Sequence, residues 1–144
     1  MIKNASKEDF LILAEMALKI WGNYSLDELK LEFEEIVDDP SSICLIKYID
    51  DIPAGFANAS LRCDYVEGTE SSPVGYLEGI YVKDNYRLNG IGRELVEACE
   101  KWSNTKGCVE FASDCELTNT ASLNFHLSLD FIEANRIICF KKDI

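Results

Sequence analysis

Residues 74–93 constrain this chain more tightly than any other stretch. The apolar run VGYLEGIYV (74–82) has the length and composition of a buried strand. It gives way to the glycine-containing turn KDNYRLNGIGRE (83–94). A helical pattern follows over about 91–105, with Leu95, Val96, Cys99 and Trp102 facing inward. A strand, a short loop and a helix N-terminus therefore come in sequence. Small residues in such a loop let backbone N–H groups converge on one spot, and the helix start adds partial positive charge there. That arrangement cradles a pyrophosphate. Taken alone, the loop also reads as a plain glycine-rich turn. Two other phosphate motifs fail on missing parts: Leu95 stands where a dinucleotide fingerprint needs its third glycine, and no Gly-Lys-Ser/Thr follows.

The rest of the chain supplies the frame. Residues 1–5 suit a short opening strand. Ser6 with Asp9 three residues on is an N-cap arrangement, and Phe10 to Trp21 follow at helical spacing. Ser25 caps a second helix, with Glu28 at N3 and Asp38-Asp39-Pro40 as its stop. Strands are expected over 43–49 and about 53–63, joined by the hairpin-like pair Asp50-Asp51. After the polar loop 64–73 and the constrained block come a strand over 108–113 and a helix over 118–129. One or two closing strands are expected within 131–141. This order predicts one α/β (α+β) domain over 1–144, a mixed sheet with helices on both faces.

Composition narrows the function. No run approaches a membrane span of about 18 apolar residues, and Lys3, Lys7, Glu8 and Asp9 interrupt any signal-peptide core. A cytoplasmic chain with no membrane partner is expected. The six cysteines form no C-x-x-C pair, so neither zinc nor a redox dithiol is expected. Most lie in apolar runs, where a reduced thiol packs as a small hydrophobe. The net charge of -12 argues against nucleic acid. It would steer a cationic substrate inward, although acidity also serves solubility alone.

Arg87-x-x-Gly90-x-Gly92 after a strand resembles the acyl-CoA signature of the GCN5-related N-acetyltransferases. Asn119 before a helix that ends in Leu129-Asp130-Phe131 resembles that family's later motif, with Asp130 where glycine is usual. Asp tolerates left-handed backbone better than most residues. Trp21, the run from Tyr65 to Pro73, Leu77-Glu78-Gly79-Ile80 and Phe111-Ala112-Ser113-Asp114 resemble the short, dimeric bacterial aminoglycoside 6'-N-acetyltransferases. Asn135 departs from that pattern, standing where an acid is usual.

The resemblance implies acetyl-CoA as cosubstrate, no metal, and a cationic amine as acceptor. It implies that the main chain of Ile80, Tyr81 and Val82 pairs with the pantetheine arm. Arg87 marks the loop, and amides of Leu88, Asn89, Gly90, Ile91, Gly92 and Arg93 would hold the pyrophosphate. Asn119 would contact the pantetheine. Trp21, Tyr65, Glu78, Asp114 and Asn135 would lie about the acceptor pocket. A homodimer is also implied, with the C-terminal residues 137–140 as its candidate contact.

The chemistry sets demands that these residues can meet. An amine attacks a thioester as the free base, so a proton must leave the ammonium form. The attacking nitrogen must be held about 3–3.5 Å from the carbonyl carbon. Developing charge on the thioester oxygen needs a donor, and a backbone N–H near Ile80 is the candidate. Glu78 sits beside Gly79 in an apolar strand, where a glycine often marks a bulge that would splay the sheet. Glu78 and Asp114 are candidates, on the resemblance, to bind the ammonium and accept its proton; as isolated residues they read first as exposed strand-end acids. His126, the sole histidine, is a candidate acid for the leaving thiolate, or else a helix residue with structural hydrogen bonds. Two rivals remain: acetylation of a polyamine, peptide or protein amine, and a CoA-binding module without turnover.

Overall fold

The computed structural model describes residues 1–144 and places five strands in the order β1-β2-β3-β4-β5. These are β1 (Ile2–Asn4), β2 (Ser42–Ile49), β3 (Ile52–Arg62), β4 (Val74–Val82) and β5 (Phe111–Ala112). The first four are antiparallel; β5 joins β4 in parallel, so the sheet is mixed. The helices are α1 (Phe10–Ala17), α2 (Leu26–Asp38), α3 (Ile91–Thr105) and α4 (Thr120–Ser128). None is long and apolar enough to cross a membrane.

Local chemistry explains the boundaries. Ser25 accepts from the Glu28 N–H at 3.1 Å while Glu28 accepts from the Ser25 N–H at 2.8 Å, closing the expected capping box of α2. Asp50 and Asp51 take φ of 48° and 61°, the paired left-handed values of a two-residue hairpin. Asp130 takes φ 66° just past α4, the conformation for which glycine is usual. Helix α1 ends earlier than its apolar spacing predicts. After Ala17 the chain tightens, with Ile20 N–H bonding to Ala17 O at 2.9 Å and Trp21 N–H to the same oxygen at 2.8 Å.

Two cores lie on opposite faces of the sheet. On one, α1 and α2 pack Leu13, Met16, Leu29 and Phe33 against Ile46 and Phe56. Phe33 and Phe56 meet edge to face at 5.6 Å, each fully buried, and each side chain contributes about 2 kcal/mol by burial. On the other, α3 packs Ile91, Leu95, Val96 and Cys99 against Leu45, Ala57, Ala59 and Leu77. The alternation of Leu45/Ile46 and Phe56/Ala57 between the two cores is the period-two pleat of strands covered on both sides.

Two expectations are corrected. The strand expected over 108–113 is reduced to Phe111–Ala112, because β4 meets it only at Gly75 and Tyr76. The closing strands expected within 131–141 do not form. The outer edge of β5 therefore stays unpaired and β5 ends the sheet. Residues 132–144 instead leave Ile132, Ile137, Ile138 and Phe140 exposed.

Candidate functional site

The site begins where the sheet opens. Strand β4 bonds to β5 at Gly75 and Tyr76 and at no later position, so its edge from Leu77 to Val82 is free of β5. On its other side β4 pairs with β3, and the register there jumps from Asn58↔Gly79 to Ala59↔Leu77. Glu78 is the residue skipped, so the bulge expected beside Gly79 is present at Glu78. Gly79 is required by a close approach: a Cβ there would lie 2.7 Å from the Trp21 indole and 2.9 Å from Asn58 Oδ1.

Beyond β4 the turn runs into α3. Leu88 has φ 63° with a fully exposed side chain, and Gly90 has φ 79° as N-cap. Left-handed backbone costs a leucine about 1 kcal/mol, so this loop stores strain. The first intrahelical bond is Glu94 N–H to Gly90 O at 3.0 Å. The amides of Ile91, Gly92 and Arg93 precede it and have no carbonyl within the helix. Gly92 touches α4: a Cβ would sit 2.8 Å from the Phe125 ring. Arg93 Nη2 donates to Ser128 O at 2.7 Å, tying the start of α3 to the end of α4. The Arg87 side chain turns back, its Nε donating to Val82 O at 2.9 Å and its Nη2 pairing with Asp84 at 3.1 Å. Asn89 Nδ2 donates to Tyr86 O at 3.4 Å. A strand edge without a partner and a helix start with free amides, side by side, fit an acyl-CoA: one takes the amide groups of the arm, the other its phosphates.

Next to the bulge lies a hollow of about 410 Å³, lined by Trp21, Tyr24, Glu32, Asn58, Ser60 and Glu78 among others. Glu78 is heavily engaged. Its Oε1 accepts from Ser60 Oγ at 2.6 Å and Arg62 Nε at 2.9 Å, and its Oε2 accepts from Arg62 Nη2 at 2.8 Å. Asn58 Oδ1 is buried without a hydrogen-bond partner. Asp114 accepts a hydrogen bond from the Tyr76 hydroxyl. Burial, and next that bond to Asp114, push the Tyr76 phenol far above its ordinary value, so it stays a donor.

The expected acceptor and catalytic residues do not all meet in one place. Trp21 and Glu78 share the hollow. Asp114 joins them through Tyr76 and Arg62, whose guanidinium lies 3.4 Å over the Tyr76 ring. Tyr65 and Asn135 meet elsewhere, around Glu67: Tyr65 donates to Oε2 at 2.8 Å and Asn135 to Oε1 at 3.2 Å. Asn119 caps α4, its Oδ1 accepting from Ser122 N–H at 3.1 Å, which leaves its Nδ2 for other contacts. His126 stands 2.7 Å from the carbonyl oxygen of Ser122 through Nδ1 and 2.7 Å from Ser113 Oγ through Nε2. A carbonyl only accepts, so Nδ1 carries the proton; in the neutral ring Nε2 then accepts from Ser113. No group of three or more His, Cys, Asp or Glu side chains is placed to hold a metal ion.

Sequence reasoning missed Tyr24, Glu32, Asn58, Ser60, Arg62 and Tyr76. A signal was available in part: Asn58, Ser60 and Arg62 recur at period two in an otherwise apolar strand and so share one face.

Known proteins are similar to this chain in sequence and shape. An aminoglycoside N(6')-acetyltransferase type 1 of Acinetobacter haemolyticus is 36% identical over 143 residues, covering 99% of this chain and 98% of its own. One from Salmonella typhimurium is 39% identical over 124 residues, 86% of each chain. The solved structure of AAC(6')-Iy with the bisubstrate analog CoA-S-monomethyl-acetylneamine superposes with a TM-score of 0.95 at 35% identity, over 100% of this chain and 98% of that one. A family description also matches residues 9–131, nearly the whole of the strand and helix framework. The chain belongs to the acetyltransferase (GNAT) family.

Proposed function

We propose that this enzyme transfers the acetyl group of acetyl-CoA to the 6'-amine of an aminoglycoside, by direct attack while both substrates are bound. The observation that carries this reading is similarity along the full chain to the Acinetobacter haemolyticus aminoglycoside enzyme. The hollow beside the bulge supports it, with carboxylates for ammonium groups and an indole for a sugar face.

Acetyl-CoA supplies the activated thioester. The free edge at Ile80, Tyr81 and Val82 takes its arm as an added strand, and amides from Leu88 to Arg93 take its phosphates. Asn119 Nδ2 contacts the arm. Trp21 and Glu78 orient the acceptor, Asp114 holds a second ammonium, and Glu78 takes up the proton directly or through water. Tyr65 and Asn135, gathered by Glu67, form the outer wall for further sugar rings. His126 acts on the leaving thiolate as the imidazolium, since the neutral ring presents a lone pair at Nε2. Resistance to aminoglycosides is the biological reading that follows.

Two further features complete the proposal. The exposed Ile137, Ile138 and Phe140 form a contact in a homodimer. Six free cysteines suit a reducing cytoplasm.

Free thiol release from acetyl-CoA tests the reaction across kanamycin, tobramycin, a lysine peptide and spermidine. The expected result is kcat/KM for the aminoglycosides at least about tenfold above the other amines. Preference for spermidine or the peptide would move the enzyme to polyamine or protein acetylation. No release with any amine would leave only a CoA-binding module.

A further inference from the structure

Arg62 ends β3, where its guanidinium meets Glu78 and the ring of Tyr76. It grips Glu78 with two hydrogen bonds, Nε to Oε1 at 2.9 Å and Nη2 to Oε2 at 2.8 Å. Ser60 adds a third donor to Oε1 at 2.6 Å. A carboxylate has about four lone-pair sites. Both sites on Oε1 are filled, and one of the two on Oε2 remains. The same guanidinium covers the Tyr76 ring at 3.4 Å, and the Tyr76 hydroxyl holds Asp114 Oδ2. One cation thus fixes Glu78 directly and Asp114 through a stacked phenol.

The geometry points to Arg62 as a positioning residue for the acceptor: it aims the remaining lone pair of Glu78 and the free oxygen of Asp114 at two ammonium groups of a polycationic substrate. This rests on the acceptor pocket proposed above. A planar fork is needed because it sets both distance and plane of the carboxylate, whereas a lysine ammonium supplies charge at one point. Arg62 also offsets one of the two acidic charges. The hollow therefore discriminates by where the acceptor's cations stand rather than by attracting any cation. Its own charge is secure: the hydrogen bond to Glu78 raises the guanidinium pKa further.

The test compares the full chain with Arg62→Lys, Glu78→Gln, the double variant, and Tyr76→Phe, using tobramycin and acetyl-CoA. Arg62→Lys is expected to lower acceptor kcat/KM at least about tenfold, with the KM of acetyl-CoA within about twofold of wild type and the melting temperature little changed. The double variant is expected to lose clearly less than the product of the two single losses, because with Glu78 gone Arg62 keeps only its indirect hold on Asp114. Tyr76→Phe keeps the stacked ring and is expected to raise the acceptor KM at least about threefold by releasing Asp114. The proposal is overturned if lysine restores wild-type kcat/KM, if the acetyl-CoA KM rises as much as the acceptor KM, if the two losses multiply, or if Tyr76→Phe behaves as wild type. Should Glu78→Gln itself keep full acceptor kcat/KM, the acceptor pocket is misplaced. An impaired Glu78→Gln beside an unimpaired Arg62→Lys rejects the role of Arg62 alone.

Discussion

The indole of Trp21 lies directly against the backbone of Gly79, closer than any side chain at 79 would permit. A Cβ at that position would come 2.7 Å from one ring carbon and 2.9 Å from another, with Asn58 Oδ1 also at 2.9 Å. Gly79→Ala must therefore push the indole outward, away from the bulge. We expect a loss of about 1–3 kcal/mol in urea unfolding, the usual scale of overpacking. We also expect the acceptor KM to rise while that of acetyl-CoA stays near wild type. An unchanged acceptor KM would separate Trp21 from the acceptor.

Gly90, the N-cap, and Gly92, in the first turn of α3, serve different needs, and their alanine variants should differ. A Cβ at Gly90 meets nothing, but its φ of 79° strains any L-residue. Gly90→Ala should cost about 1 kcal/mol, and Gly90→Asn less. Gly92→Ala should instead drive the Phe125 ring and α4 away, raising the KM of acetyl-CoA. Leu88→Asn relieves a strained leucine whose side chain packs on nothing, and should stabilise by up to about 1 kcal/mol. Denaturant melts of the four variants, with acetyl-CoA kinetics, check the set.

Acid should unfold the protein partly through Asp9. Burial pushes that carboxyl up, but hydrogen bonds from the Ser6 N–H and hydroxyl, Lys3 and Tyr48 outweigh it and hold the pKa below the ordinary 3.8. Such a group stabilises the fold fully above its unfolded value and loses that contribution as pH falls through its folded value. Unfolding free energy should decline below about pH 4. Asp9→Asn should be less stable at neutral pH and decline less. Part of the slope should survive, since Ser71 and the Glu70 N–H lower Glu110 and Arg136 lowers Glu133. An identical acid slope in the variant would exclude Asp9.

Thiol labelling should split the cysteines evenly. Cys63, Cys115 and Cys139 are exposed; Cys44, Cys99 and Cys108 are buried. Burial pushes the Cys99 thiol up to about 12 and raises those of Cys44 and Cys108. An aromatic disulfide reagent at neutral pH should titrate three thiols quickly and the rest only in denaturant. Six fast thiols would show that the cores open readily.

Features governed by neighbours in sequence were legible beforehand. The Asp50-Asp51 turn, the Ser25–Glu28 box, the left-handed Asp130 and the bulge beside Gly79 each follow from backbone preferences over a few residues. Features set by distant partners were not. The grip of Arg62 on Glu78 depends on the register of β3 against β4, which no spacing reveals. The residues 131–141 have strand character in composition, yet a strand exists only where another backbone lies alongside. Glu32 reaches the hollow because of how α2 crosses the sheet, and its helical spacing says only that it is off the apolar stripe.

The short β4–β5 ladder has a consequence for solution behaviour. Along Leu77–Val82, amides that face away from β3 have no protein acceptor, so they should trade their protons for deuterium rapidly in the free enzyme. A cosubstrate lying along that edge would slow the trade there first. Isotope uptake would then report donor loading independently of turnover.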